Sequence, residues 1–207
     1  MLSFDEFLQF FFGGGAEVFR RDDDAGESAF DTDPASAAVH YERLLQSPGV
    51  LRQRYTRQQI DSGFGAMLDC SVPMNVPDLV WDGDVPLESR KRVIRAMASL
   101  YRDLFDEDAL FGTPFMWWDP ITYDFECGNR HRDDGDEVRQ VQDCMFETLT
   151  EILNLPSSES QRAALHGLGH LHHPKTTEAI DAYLAARPTV TPELRQYARQ
   201  SALGLIQ

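Results

Sequence analysis

Four of the six histidines lie within eight residues near the carboxyl-terminal end of the chain: His166, His170, His172 and His173. His166 and His170 are four residues apart, so they share one face of a helix and could supply two nitrogen ligands to a zinc ion. The residues between them are Gly, Leu and Gly, and the pair therefore lacks the glutamate of a metalloprotease helix. No third ligand follows locally, and a carboxylate from the Asp-rich loops would have to complete the site.

The helix that carries these two histidines has two dissimilar faces. At 100° per residue, its apolar and polar side chains fall on opposite sides. The apolar stripe comprises Ala164, Leu168 and Leu171, and the polar face comprises Arg162, His166 and His170. This face has two interpretations: solvated or ion-paired histidines, or a metal-binding or pH-sensitive site.

An aromatic segment over residues 111–125 precedes this helix, with Pro114 and Pro120 interrupting it. Such a long irregular stretch is often functional. Its aromatic side chains predict either a packed core layer or a ligand pocket. Trp117 and Trp118 join Arg162, His166 and His170 as candidate partner-binding residues.

The remaining pattern predicts an all-α fold. Ser3 and Glu6 form a capping box before a phenylalanine-rich helix, and Asp33 with Pro34 starts the next helix. Between them, residues 13–33 contain a glycine run and a triple aspartate, which predict a mobile acidic loop. We therefore expect one irregular multi-helix domain over 1–207.

The final fifty residues predict a short stack of three antiparallel helices. Ser157 or Ser158 caps the first helix, Pro174 ends it, and Pro192 opens the third. Helices joined by such short turns pack antiparallel. Three positions of the first helix recur 37 residues later in the third, a period typical of a solenoid: Arg162 with Arg199, Gly167 with Gly204, and Leu168 with Leu205.

This region, residues 157–206, resembles HEAT-like helical repeats. The residues that carry the resemblance are the phrase Ala164–Gly169, the proline turn 172–174 and the second-helix positions Ile180, Tyr183 and Leu184. They cover about one and a half repeat units, so we expect a HEAT-like helical cap at 157–207 rather than a full array. The resemblance implies a protein-binding groove and no catalytic residue.

The charge of the chain favours a basic protein partner. Thirty-four acidic and nineteen basic residues give a formal net charge of −15, which repels nucleic acids and anionic lipids and speeds the capture of basic proteins. Three cysteines without a C-x-x-C pair indicate a reducing cytoplasm. The chain has no run of about 20 apolar residues, so we expect no membrane segment.

These observations favour a non-catalytic protein-binding module, such as an immunity or inhibitor protein that captures a basic toxin or nuclease. No nucleophile elbow, P-loop or dinucleotide fingerprint occurs, so we predict no catalytic residue and no organic cofactor. Two alternatives remain open. One is a metal-dependent enzyme or metal sensor that uses zinc at His166 and His170, and the other is a self-associating scaffold domain.

Overall fold

The computed structural model describes residues 2–17, 33–106, 112–124 and 128–206. The chain divides into two compact units, Met1–Leu104 and Phe105–Gln207. Apart from a two-residue antiparallel pair, Tyr123–Asp124 with Gly128–Asn129, the regular structure of the described residues is helical, which confirms the all-α prediction. A single domain over 1–207 and a HEAT-like cap at 157–207 stay predictions.

The first unit is built from the elements that the sequence predicts at the amino end. The Ser3 hydroxyl accepts a hydrogen bond from the Glu6 amide, and the Glu6 carboxylate accepts one from the Ser3 amide, which confirms the capping box. Asp33 caps the next helix. Residues 18–32 of the predicted acidic loop lie outside the described residues. The helices are α1 Phe4–Phe12, α2 Pro34–Gln46, α3 Arg57–Met67, α4 Val76–Trp81 and α5 Leu87–Leu100, with a 3-10 helix at Pro48–Gln53.

The second unit surrounds one helix. Its helices are α6 Thr113–Met116, α7 Asp119–Thr122, α8 Asp136–Leu153, α9 Ser158–Leu171, α10 Thr176–Ala186 and α11 Pro192–Ala202, with a 3-10 helix at Arg132–Asp134. The helix α9 contacts α6, α7, α8, α10 and α11. Because neighbours cover α9 on nearly every side, its buried residues include His166 on the face that the sequence predicts to be polar.

Two hydrogen bonds give the relative direction of α9 and α10. Thr176, at the start of α10, donates to the Leu168 carbonyl near the end of α9 at 3.4 Å. Tyr183, later in α10, donates to the Gln161 side chain near the start of α9 at 2.7 Å. The two helices are therefore antiparallel, as the proline-containing turn predicts.

The two tryptophans of the aromatic segment pack as core, whereas Phe115 is partly exposed. Trp117 and Trp118 are both fully buried in this arrangement, and their contact with a partner stays a prediction. Phe111 and Phe125 lie outside the described residues. The close approach requires a glycine on α9, because a Cβ at Gly167 would lie 2.8 Å from Trp118 Cβ.

The turn that follows α9 is fixed to α8 through His173. The His173 Nε2 lies 2.8 Å from Asp143 Oδ1, and the Arg132 guanidinium contacts the same oxygen at 2.7 Å. The His173 Nδ1 accepts a hydrogen bond from the Lys175 amide at 3.2 Å, and its ring stacks on Phe146. Both ring nitrogens of this buried histidine therefore have partners when the ring is neutral.

Replacing Gly167 with alanine should destabilise the protein. The new Cβ would also stand 2.7 Å from Leu149 Cδ2, and such overpacking costs about 1–3 kcal/mol, more than the gain of about 1 kcal/mol in helix propensity. The matched control is Gly65→Ala in α3, where no heavy atom lies within 4 Å of the new Cβ, and we expect it to be neutral or stabilising. Urea unfolding followed by circular dichroism measures both, and equal stability of the two variants would contradict the close packing.

The free energy of unfolding should decrease as the pH is lowered, because His173 becomes protonated. Burial holds the pKa of His173 below its ordinary value, although the hydrogen bond to Asp143 opposes this shift and the charges of Arg132 and Lys175 add to it. A lowered folded-state pKa means that the contribution is fully present above about pH 6.5 and is lost as the pH falls through the folded-state pKa. We expect wild-type protein to lose more free energy of unfolding between pH 7 and pH 5 than His173→Gln, which keeps a donor for Asp143 but does not titrate. Parallel pH profiles of the free energy of unfolding for the two proteins would contradict this prediction.

Candidate metal site

Three side chains of the second unit bring their ligand atoms to one point. His166 and His170 extend from the same face of α9, and Asp119 is the first residue of α7. Asp119 Oδ1 lies 2.7 Å from His166 Nε2 and 3.7 Å from His170 Nε2. One donor atom from each residue lies within 4.8 Å of the other two. The predicted pair is thus brought together with a third donor.

Glycine and tryptophan explain why Asp119 reaches the two histidines. Gly167 lies between them in the sequence and lets Trp118 approach the backbone of α9. Because Asp119 follows Trp118 directly, the contact that anchors the indole also carries the carboxylate to the histidine face. The side-chain hydroxyl of Thr122 donates to the Trp118 carbonyl at 2.7 Å and closes the turn of α7 around this point.

The three donor atoms are shielded from solvent and lack hydrogen bonds. Asp119 Oδ1, His166 Nε2 and His170 Nε2 are buried and have no hydrogen-bond partner in the described part of the chain. His166 is 1% exposed. Although His166 Nε2 and Asp119 Oδ1 are 2.7 Å apart, their geometry is not that of a hydrogen bond. Leaving a buried polar group unpaired costs about 1–3 kcal/mol, and the three atoms lie close enough together that they could hold one metal ion.

Tyr197 of α11 orients the ring of His166 from the other side. Its hydroxyl lies 2.5 Å from His166 Nδ1, and burial raises the pKa of Tyr197 to about 12, so the phenol stays protonated at neutral pH. Metal-bound histidines usually donate their second ring N–H to such an outer partner, which fixes the tautomer. If Nδ1 carries the proton and the Tyr197 oxygen accepts it, the lone pair of Nε2 is free toward Asp119 and His170.

The protonation state of His170 also suits a ligand. Burial is the main cause that lowers the pKa of His170, and the nearby His166 and His172 lower it further, while the Asp119 carboxylate raises it. The neutral imidazole, which is the form that binds metal ions, is therefore favoured. His170 keeps part of its side chain at the edge of the site, with 23% exposed.

Aromatic rings enclose the site on the side of Tyr197. The Phe115 ring lies 4.4 Å from the His166 ring, centroid to centroid. The Arg162 guanidinium lies 5.3 Å from the Phe115 centroid and 5.5 Å from the Tyr197 centroid. Arg162 therefore covers the two rings from outside as an exposed cation and does not enter the donor cluster.

The geometry corrects two expectations drawn from the sequence. The face formed by Arg162, His166 and His170 was expected to be a polar surface. In the structure His166 is buried inside the second unit, and Arg162 is the exposed residue of this face. A carboxylate from the Asp-rich loops was expected to complete the site, but the third donor is Asp119 in the aromatic segment. The signal that could have found it is a carboxylate directly after two tryptophans.

The other two clustered histidines do not join the site. His172 is exposed and occupies the left-handed region, with φ of 50°, at the end of α9. His173 is held by Asp143, away from Asp119. The cluster of four histidines therefore separates into one pair whose Nε2 atoms have no hydrogen-bond partner among the described residues, one exposed residue and one residue with both nitrogens bonded.

No family model, curated protein or solved structure matches this chain. The resemblance of residues 157–206 to HEAT-like repeats therefore stays a prediction. Within the described residues, no helix is both long enough and apolar enough to cross a membrane. The proposal for a function is therefore drawn from the candidate metal site.

Proposed function

We propose that the second unit binds a divalent transition-metal ion, with Zn²⁺ the best fit, at Asp119, His166 and His170. One observation supports this proposal above the others. Three metal-ligating atoms from two separate elements converge in a shielded site, and none of them has a hydrogen-bond partner among the described residues. A cation would give all three atoms one common partner.

The chemistry of the donors favours zinc over calcium or magnesium. Calcium and magnesium take oxygen ligands, whereas imidazole nitrogens suit zinc and its first-row neighbours. In a tetrahedral zinc site with bonds of about 2.0–2.2 Å, neighbouring donors stand roughly 3.3–3.6 Å apart. The separations of 2.7 Å and 3.7 Å from Asp119 bracket this range, and all three donors lie within 4.8 Å of one another.

The surroundings support a structural ion rather than a catalytic one. Three protein donors and one remaining position are the ligand number of many catalytic zinc sites. A catalytic ion, however, must be reached by its substrate, and here each donor atom is shielded from solvent by the protein. We therefore propose metal binding without catalysis.

The first test of this proposal is metal content. Protein purified without a histidine tag, stripped with chelator and titrated with Zn²⁺ should bind one ion per chain. His166→Ala, His170→Ala and Asp119→Asn should each weaken binding by more than about 100-fold, because each removes a direct ligand. Calorimetry with a competing chelator measures the affinity.

The matched control for these variants is His172→Asn. It removes an exposed histidine of the same cluster, and asparagine tolerates the left-handed conformation found there. We expect its zinc affinity to equal that of the wild type. Absence of zinc binding in the wild type, or equal binding in the ligand variants, would overturn the proposal.

A second test concerns the outer partner of His166. Tyr197→Phe removes the hydroxyl beside Nδ1 and should lower zinc affinity by about 10–100-fold, since outer partners fix the ligand's tautomer and orientation. The control is Tyr183→Phe, which also deletes a tyrosine hydrogen bond in the second unit, the one to Gln161, but leaves the donors untouched. If both variants bind zinc like the wild type, Tyr197 has no part in the site.

The prediction of a basic protein partner, including the immunity or inhibitor form, rests on the net charge of −15 and stays a second proposal. At the carboxyl-terminal end, Leu203 and Leu205 are 69% and 66% exposed, which adds apolar area that a partner or a second copy could cover. These features are compatible with metal binding, because a structural ion can stabilise a protein-binding module.

A further inference from the structure

We propose that the ion at this site is a clasp that holds residues 113–122, the clasp segment, against α9. Loss of the ion would release the clasp segment and expose Trp117 and Trp118, so the metal would control the surface of the second unit. This inference rests on the proposed metal site and assigns it a regulatory role.

The clasp segment has little regular structure of its own to keep it ordered. It contains α6 and α7, each four residues long, with Trp117 and Trp118 between them, and isolated helices below about 12 residues are marginal in water. Its conformation therefore depends on tertiary contacts. The contacts with α9, which touches both α6 and α7, are the ones that the ion would reinforce.

Apolar contacts form one half of this interface. Trp117 and Trp118 are fully buried, and Trp118 packs at Gly167 of α9. Phe115 lies against the His166 ring. These contacts favour the closed arrangement whether or not an ion is bound, so metal loss should loosen the segment without removing its preference for α9 altogether.

Polar atoms form the other half of this interface, and the ion determines whether they favour the closed arrangement. Asp119 belongs to the clasp segment, while His166 and His170 belong to α9, so a shared ion bonds across the interface. Without a cation, closure keeps a carboxylate oxygen 2.7 Å from an imidazole nitrogen with no hydrogen bond between them. Opening hydrates both groups, which makes the open state more favourable in the absence of metal.

Linkage sets the direction of the effect. Only the closed arrangement presents all three donors, so the ion binds it more tightly than the open one and shifts the population toward it. The shift is limited by the difference in affinity between the two states. Asp119 contributes the bond that opening breaks, and its removal should uncouple the segment from the metal.

Hydrogen exchange of the full chain, with Zn²⁺ and after chelation, tests the clasp directly. Amides of residues 112–124 should exchange at least about tenfold faster after zinc removal, because local opening governs their protection. Amides of α2 and α5 in the first unit should not change. Asp119→Asn should show the same exchange over 112–124 with and without zinc, and His172→Asn should respond like the wild type.

Tryptophan fluorescence gives an independent measurement in a Trp81→Phe background, where Trp117 and Trp118 are the two remaining indoles. Acrylamide should quench them more strongly after chelation. This comparison, with zinc and after chelation, leaves the three proposed ligands unchanged, so a ligand variant that fails to fold does not obscure the result.

The outcomes separate this inference from the proposed function. If calorimetry detects no zinc binding, both are wrong. If zinc binds but exchange and quenching over the clasp segment are unchanged, the clasp is wrong and the metal site stands. If chelation accelerates exchange equally over all of the second unit, the ion stabilises the whole unit and the local clasp is again wrong.

Discussion

The close contact between Trp118 and the backbone of α9 at Gly167 determines much of the second unit. A side chain at position 167 would meet Trp118 at 2.8 Å, so the absence of a Cβ lets the aromatic segment lie directly on the helix. Gly169 serves a similar purpose toward the carboxyl-terminal end, where a Cβ would lie 3.2 Å from Ser201 Cα. Gly167 and Gly169, which lie between His166 and His170 in the sequence, thus allow neighbouring elements to pack closely around α9.

Enclosure of α9 has a cost, because a helix surrounded by neighbours buries its polar side chains as well as its apolar ones. His166 becomes almost inaccessible, and its Nδ1 faces Tyr197 while its Nε2 faces Asp119 without a hydrogen bond. Burial of polar atoms is unfavourable unless each finds a partner. The proposed ion at the convergence of the three donors would remove that penalty.

His173, in the turn after α9, shows how a structural histidine differs from a proposed metal ligand. His173 is also buried, but its two nitrogens are bonded to Asp143 and to the Lys175 amide. Arg132 shares the Asp143 oxygen and balances its charge. A buried histidine with both nitrogens satisfied joins elements of the fold, whereas the Nε2 atoms of His166 and His170 lie beside a carboxylate without a hydrogen-bond partner and are proposed to bind a metal ion.

Local sequence determined the elements and two of the three donors of the site. The capping box at Ser3 and Glu6, the helix stack after Ser157 and the i, i+4 pair of histidines follow from short-range patterns, because capping and helical periodicity act within a few residues. Tertiary structure alone decided that the histidine face is covered and that Asp119, 47 residues before His166, supplies the third donor. Helical periodicity shows which residues share a face but not what packs on it, since that depends on contacts such as the one between Trp118 and Gly167.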